Sequence, residues 1–178
     1  MINQLRLRTE YSMGSLYLPL QAVVDRAVKL GGAKIATIVD STSYGHVKWA
    51  ELVKKAGASP AFGMAVRVEG DPIRDMTLIA RTRAGLSEIY EACSGESGVI
   101  PEGRILDLGP EVVKLLGTCA LRPAFVRRLL AKGKRTETVF GDLDASGTLR
   151  NEAIRGSGAP LVWASDGSYP APEDRHTF

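Results

Sequence analysis

The sequence predicts an α/β fold, in which strands and helices alternate along a single domain covering residues 1–178. Short apolar segments of the kind buried in parallel sheets recur along the chain. Helices with one apolar face lie between them, and glycine or proline marks many of their ends. The periodicity of apolar residues does not distinguish a doubly wound sheet from a barrel, so both arrangements stay open at this point.

The first βαβ unit is complete by Asp40. The alternating segment 4–8 predicts a strand, and apolar side chains within 20–28 share one helical face. The glycine pair 31–32 predicts the end of that helix. Residues 34–39 are largely apolar and predict a buried strand.

The alternation continues through the middle of the chain. We expect a helix at 47–55, strands at 61–68 and 76–80, and a helix at 83–93. Thr82 directly precedes the last of these helices and carries the hydroxyl that an N-cap needs.

The second half predicts further strands and helices, but no internal sequence repeat. Proline is favoured at the first helical position, so two helices are predicted to open at prolines. The predicted elements are a strand at 104–108, helices opening at Pro110 and Pro123, a strand at 138–143, a helix at 151–155 and a strand at 161–164.

Cysteine count and charge limit the function classes. Cys93 and Cys119 are the two cysteines, and without Cys-x-x-Cys spacing they predict neither a disulfide framework nor a zinc ribbon. The net charge of +3 permits contact with nucleic acid but does not argue for it. No apolar run approaches the roughly 18 to 20 residues of a membrane span, and no secretory pattern is visible. We therefore expect a cytoplasmic protein without membrane contact.

Three places in the chain resemble motifs of the PHP (polymerase and histidinol phosphatase) family. Residues 5–12 read Leu-Arg-Leu-Arg-Thr-Glu-Tyr-Ser, similar to the opening motif, in which two histidines one residue apart precede a Thr-Glu-Tyr-Ser tail. Arg6 and Arg8 stand in the histidine places. The second motif is a strand ending in Asp-His, and here Asp40 is followed by Ser41.

The remaining motifs show the same pattern of a kept framework and lost ligands. Ala65 stands where the family carries a metal-bridging glutamate, and in the closing motif Asp166 is kept while Ser168 replaces a histidine. Residues 76–85 are similar to the strand and helix that follow the third motif in the polymerase branch. The resemblance spans nearly the whole chain and is greatest to the N-terminal PHP domain of bacterial DNA polymerase III alpha subunits.

The resemblance implies a distorted (β/α)7 barrel whose site lies at the carboxyl ends of the strands, where Arg6, Asp40 and Asp166 would converge. Guanidinium has no acceptor and cannot bind a metal, so we expect no metal, no cofactor and no catalytic residue. Arg6 and Arg8 have two interpretations. They form an ion-paired structural cluster with the aspartates, or they bind a phosphate or nucleic-acid backbone.

The family therefore predicts a non-catalytic pseudoenzyme, an interaction or scaffold module of DNA replication. Its expected partner is a replicative DNA polymerase or another replication protein, and a phage-encoded separate piece would fit this role. The alternative is a divergent metal-dependent phosphoesterase or 3'-5' exonuclease with a site rebuilt from Asp40, Asp166, Glu10 and one histidine. A third interpretation is a regulator that binds nucleotides or DNA. His46 is interpreted as a polar residue at a helix start.

Overall fold

The computed structural model describes residues 6–12, 18–29, 35–95, 98–132, 138–143, 148–164 and 166–167. The chain forms two compact units. The first unit comprises residues 1–64 and 165–178, and the second comprises residues 65–164. For a few described residues, Arg6 and Asp166 among them, only the backbone is described.

The first unit contains a parallel sheet with helices in its connections. Its strands follow the order β3, β2, β1, β9, and every pairing between them is parallel. Leu7 lies opposite Ile38, and Ile38 lies opposite Phe62. The elements are β1 (Arg6–Leu7), α1 (Leu20–Lys29), β2 (Ile35–Ile38), α2 (His46–Lys55), β3 (Ser59–Val68), which runs on into the second unit, and β9 (Asp166–Gly167).

The core of the first unit lies between α1, α2 and β2. On α2, His46, Trp49 and Val53 are buried, which is the spacing of one helical face. Helix α2 is followed by Gly57, whose positive φ of 76° suits a residue without Cβ. The core residues are Leu18, Leu20, Val23, Val24, Ile38, Trp49 and Val53. Val28, which the periodicity placed on the apolar face of α1, is 54% exposed.

The second unit mixes parallel and antiparallel pairings. Its strands follow the order β8, β7, β6, β4, β3, with β5 also paired to β3. Strands β6, β7 and β8 are parallel, whereas β4 is antiparallel to β6. The elements are β4 (Arg74–Ala80), α3 (Arg83–Cys93), β5 (Val99–Ile100), α4 (Glu102–Asp107), β6 (Val112–Leu115), a 3-10 helix (Gly117–Leu121), α5 (Pro123–Ala131), β7 (Val139–Leu143), α6 (Thr148–Gly156) and β8 (Leu161–Trp163).

Most predicted elements are confirmed, and two are wrong. Helix α3 has the predicted bounds, and the Thr82 hydroxyl oxygen accepts the Gly85 amide at 3.2 Å. The strand predicted at 104–108 is helix α4. The prediction failed because a short apolar run does not distinguish a strand from a helix. The helix predicted at Pro110 is absent, and the β-branched Val112 and Val113 begin strand β6, which pairs with β4 and β7.

The predicted α/β class is confirmed, whereas the closed barrel stays a prediction. Within each unit the pairings between described strands run from one edge to another without returning to the first strand. Among the described residues, no helix combines the length and apolar character that a membrane crossing requires.

Alanine substitutions at two glycines in helices of the second unit test how closely these helices pack. A Cβ on Gly85 would lie 2.3 Å from the Glu111 carbonyl oxygen, so Gly85→Ala should destabilise the fold by about 1–3 kcal/mol. Gly103 lies in α4 with nothing within 4 Å of the added Cβ. Gly103→Ala should therefore stabilise by about 0.5–1 kcal/mol, since alanine is the better helix former. Urea denaturation of both variants checks this, and equal effects would contradict the packing around α3.

Candidate functional site

The carboxylate of Asp40 is the centre of the candidate site in the first unit. It lies just beyond the carboxyl end of β2 and is fully buried. Its Oδ1 accepts the Thr9 amide at 2.6 Å and the Ser12 hydroxyl at 2.7 Å, while its Oδ2 accepts the Thr9 hydroxyl at 2.5 Å. Both oxygens of the carboxylate are thus hydrogen-bonded to the segment that follows β1.

These three bonds make the burial of a charge tolerable. A carboxylate removed from water costs several kcal/mol unless donors replace the lost hydration. Bonds to a charged acceptor are stronger than neutral ones, at about 1.5–3 kcal/mol each. Asp40 therefore ties the end of β1 to the end of β2, and residues 9–12 are here named the anchored turn.

The anchored turn is also held by its own backbone. The Ser12 amide donates to the Thr9 carbonyl at 2.9 Å, and the Glu10 amide donates to the Leu18 carbonyl at 3.0 Å. The Thr42 hydroxyl donates to the Tyr11 carbonyl at 3.1 Å, which joins the turn to the segment after β2. The turn is therefore fixed at both ends and in its middle.

Gly45, just before α2, lies against the anchored turn. A Cβ on Gly45 would be 2.7 Å from Cδ2 of the Tyr11 ring, closer than side-chain carbons pack. The absence of a side chain at Gly45 lets the Tyr11 ring lie on the backbone there. The start of α2 and the anchored turn thus form one packed edge.

His46, the first residue of α2, is buried at this edge. It is 4% exposed, and its ring centroid lies 5.2 Å from that of Phe62. Burial lowers the pKa of His46, while the Gly63 backbone and the charge of Asp40 act in the opposite direction. The imidazole is therefore held neutral around pH 7. The sequence placed His46 correctly at a helix start but did not predict its burial beside Asp40.

The residues predicted for the site are only partly brought together. Arg6 lies opposite Asp166 in the register of β1 and β9, and their side chains are outside the described structure. Ser41 is exposed after β2, and Ala65 is half-buried in β3, where the chain enters the second unit. Ser168 lies outside the described residues. Of the predicted convergence of Arg6, Asp40 and Asp166, the structure therefore describes only the backbone pairing of Arg6 with Asp166.

Arg8 lies between β1 and Thr9 and is half-buried. Its Nε atom is buried and has no hydrogen-bond partner among the residues that the structure describes. Within the same residues, no ion pair joins Arg8 to Asp40. Hydroxyls and an amide, rather than the guanidinium of Arg8, thus surround the aspartate.

A metal of the kind that the PHP resemblance implies does not fit these residues. The oxygens of Asp40 accept hydrogen bonds from Thr9 and Ser12, and the neighbouring Arg8 has no lone pair to offer. In the part of the chain that is described, no three His, Cys, Asp or Glu side chains gather as a metal-binding group. Sequence reasoning missed Thr9 and Ser12 as hydrogen-bond donors to Asp40, which lies 31 and 28 residues further along the chain.

The basic residues of α5 and its end are mostly paired with carboxylates. Arg122 and Arg128 both bind Glu102, the former at 2.8 Å, and Lys132 binds Asp107 at 2.5 Å. The Arg122 guanidinium also donates to the Glu69 carbonyl at 2.7 Å. These contacts compensate much of the positive charge that would attract a nucleic acid to this helix.

No protein-family model and no curated protein matches the chain. Among solved structures it is similar to an amidohydrolase from Chromobacterium violaceum with bound sulfate and no metal, with 16% identity, a TM-score of 0.40 and coverage of 73% of this chain and 50% of that chain. It is also similar to a protein assigned as a metal-dependent phosphoesterase from Bifidobacterium adolescentis, with 15% identity, a TM-score of 0.40 and coverage of 89% and 75%. The chain thus spans half the length of the amidohydrolase. At these values the likeness carries no inference about chemistry.

Removal of the Asp40 carboxylate should release the anchored turn. Asp40→Ala leaves the Thr9 amide and two hydroxyls without their acceptor, so we expect a loss of about 3 kcal/mol in the free energy of unfolding. Asp25 is exposed and accepts a bond from Gln21, so Asp25→Ala should change stability by less than about 0.5 kcal/mol. Urea denaturation compares the two variants, and a small loss in Asp40→Ala would contradict the anchoring role.

His46 should make stability depend on pH. Burial lowers its pKa below the ordinary 6.5, so the unfolded chain binds the proton more tightly than the folded one. The contribution of neutral His46 is fully present above pH 6.5 and is lost as pH falls through the lowered pKa. Denaturation at pH values from about 7 down to 5 should show a smaller decline for His46→Gln than for the unsubstituted chain. An identical decline in both proteins would show that His46 is not buried in its neutral form.

Proposed function

We propose that this chain is a non-catalytic PHP-type module that acts in DNA replication by binding a replicative DNA polymerase or another replication protein. The hydrogen bonds of Asp40 are the observation that supports the absence of catalysis in this proposal, because its carboxylate accepts from Thr9 and Ser12. A (β/α)7 arrangement of the strands belongs to this proposal.

Metal-assisted hydrolysis of a phosphate ester requires ligand lone pairs directed at cations about 3.5–4 Å apart. A cation at Asp40 would have to displace donors that lie at 2.5–2.7 Å and would leave them buried without an acceptor. The aspartate that the PHP motif retains therefore acts as a structural anchor in this chain.

The substituted motif positions support the same conclusion. Arg6 and Arg8 are cations without acceptor atoms, and Ala65 has no polar side chain at all. Ser41 and Ser168 replace imidazoles by hydroxyls, which are poor ligands for transition metals. The chain keeps the framework of the motifs and lacks their ligands.

The replication part rests on the resemblance of residues 76–85 to the polymerase branch of the family. In that branch the domain is packed against the rest of a replicative enzyme. A module without catalytic ligands keeps this binding role and loses hydrolysis, so a protein partner is the function that its residues favour.

Affinity capture from an extract of the native host tests the partner. The tagged chain should recover a replicative polymerase or another replication protein. Asp25→Ala should recover the same protein, whereas Asp40→Ala, which releases the anchored turn, should recover less. Recovery of no replication protein, under conditions that recover known polymerase partners, would contradict the proposal.

A divergent phosphoesterase or exonuclease is the second candidate, and His46 is the observation that favours it. A neutral imidazole is the form that binds metals, and burial keeps His46 in that form near the charge of Asp40.

Elemental analysis for Zn, Mn and Fe, with hydrolysis of a chromogenic phosphate ester in added Mn²⁺, separates the two candidates. The module predicts neither stoichiometric metal nor hydrolysis. Bound metal with activity that disappears in Asp40→Ala would establish the phosphoesterase.

A further inference from the structure

Asp142 in the second unit accepts a backbone amide from the end of a neighbouring strand, as Asp40 does in the first unit. It is fully buried in β7, and its Oδ1 accepts the Gly117 amide at 2.7 Å. Leu115 lies opposite Phe140, so Gly117 and Asp142 each lie two residues beyond a pair of opposed residues. In the first unit, Thr9 and Asp40 lie two residues beyond the opposed pair of Leu7 and Ile38.

The order of the strands and α-helices around the two aspartates is also alike. It is β1, α1, β2, α2, β3 around Asp40 and β6, α5, β7, α6, β8 around Asp142, where a 3-10 helix additionally lies between β6 and α5. After each aspartate, the next helix begins after the same number of residues, at His46 and Thr148. The next strand follows at equal spacing as well, at Ser59 and Leu161.

The turns that the aspartates bind have the same hydrogen-bond pattern. The Ser12 amide donates to the carbonyl three residues back, that of Thr9, and a 3-10 helix with this pattern begins at Gly117. Each aspartate therefore accepts the amide of the first residue of a tight turn at the carboxyl end of a parallel strand.

We propose that the chain contains two βαβαβ modules of one design, and that Asp142 is a positioning residue that fixes the turn 117–121 as Asp40 fixes the anchored turn. The sequence shows no repeat because the shared feature is a backbone amide bound by a carboxylate. That contact requires only an aspartate on one strand and places no demand on the neighbouring side chains. The inference holds whether or not the chain binds a replication protein.

The two modules differ in the other donors. Gly117 and Ala120 occupy the places of Thr9 and Ser12, and neither carries a hydroxyl. Gly117 has a φ of +52°, and a Cβ there would lie 2.6 Å from the Asp75 carbonyl oxygen, so threonine is excluded. Arg150 instead donates to the Asp142 carbonyl oxygen at 2.5 Å and to its Oδ2 at 3.3 Å.

Because Ala120 occupies the place of Ser12, we expect a serine at 120 to replace Arg150 as a hydrogen-bond donor to Asp142. Arg150→Met removes the guanidinium bonds, and it should speed hydrogen exchange of the Gly117 amide by about tenfold or more. Ala120→Ser, at the place of Ser12, should then slow that exchange again by about tenfold and raise the urea midpoint. In the unsubstituted chain, Ala120→Ser should produce neither change, since Arg150 already serves Asp142.

A serine at a buried alanine of α3 is the matched control. Ala92→Ser should give no rescue in the Arg150→Met background, because α3 contains neither Asp142 nor any residue of the turn 117–121. Rescue by Ala120→Ser alone supports the equivalence of the modules. Equal effects of Ala120→Ser with and without Arg150, or equal rescue by Ala92→Ser, would overturn it.

A measurement without substitution covers the case in which Arg150→Met does not fold. The amides of Thr9 and Gly117 should both exchange far more slowly than the amide of Gly103, which is exposed on α4. Exchange of Gly117 as fast as that of Gly103 would show that Asp142 does not hold the turn.

Discussion

The buried carboxylate of Asp40 is the constraint on which the first unit depends. The described part of strand β1 is two residues long, and so short a ladder adds little to holding the chain in place. The Thr9 amide and the hydroxyls of Thr9 and Ser12 bind Asp40 instead, and the Tyr11 ring then lies against Gly45. The positions of the anchored turn, of the start of α2 and of His46 all follow from this one charged acceptor.

The same hydrogen bonds let Asp40 stabilise the fold without the metal binding that the motifs suggest. A carboxylate among imidazoles would hold a cation, whereas a carboxylate among hydroxyls and an amide is a stable buried group without one. This part of the chain can therefore be folded without metal ligands at the motif positions, because Thr9 and Ser12 supply the donors that the buried charge requires. Asp142 repeats the solution with a backbone amide and an arginine.

Sequence patterns predicted the elements whose signals are local. Helix α3 follows from its Thr82 cap and α5 from Pro123, because capping and proline geometry act within one turn. Helix α4 was predicted as a strand, and strand β6 was predicted as a helix. The secondary structure of a short apolar run depends on tertiary pairing, which here joins β6 to β4 and β7. The partners of Asp40 and the burial of His46 were missed because each depends on register between segments far apart in sequence.

Diffraction from a crystal soaked in Mn²⁺ tests whether Asp40 is a structural anchor. Data collected at the manganese absorption edge locate the cation, and the refined coordinates locate the donors around Asp40. If Asp40 is an anchor, we expect no anomalous peak there, with the Thr9 amide and both hydroxyls within hydrogen-bond distance of its oxygens. A manganese ion bound to the Asp40 carboxylate, with the Ser12 hydroxyl turned away, would contradict the anchoring role and identify a working metal site.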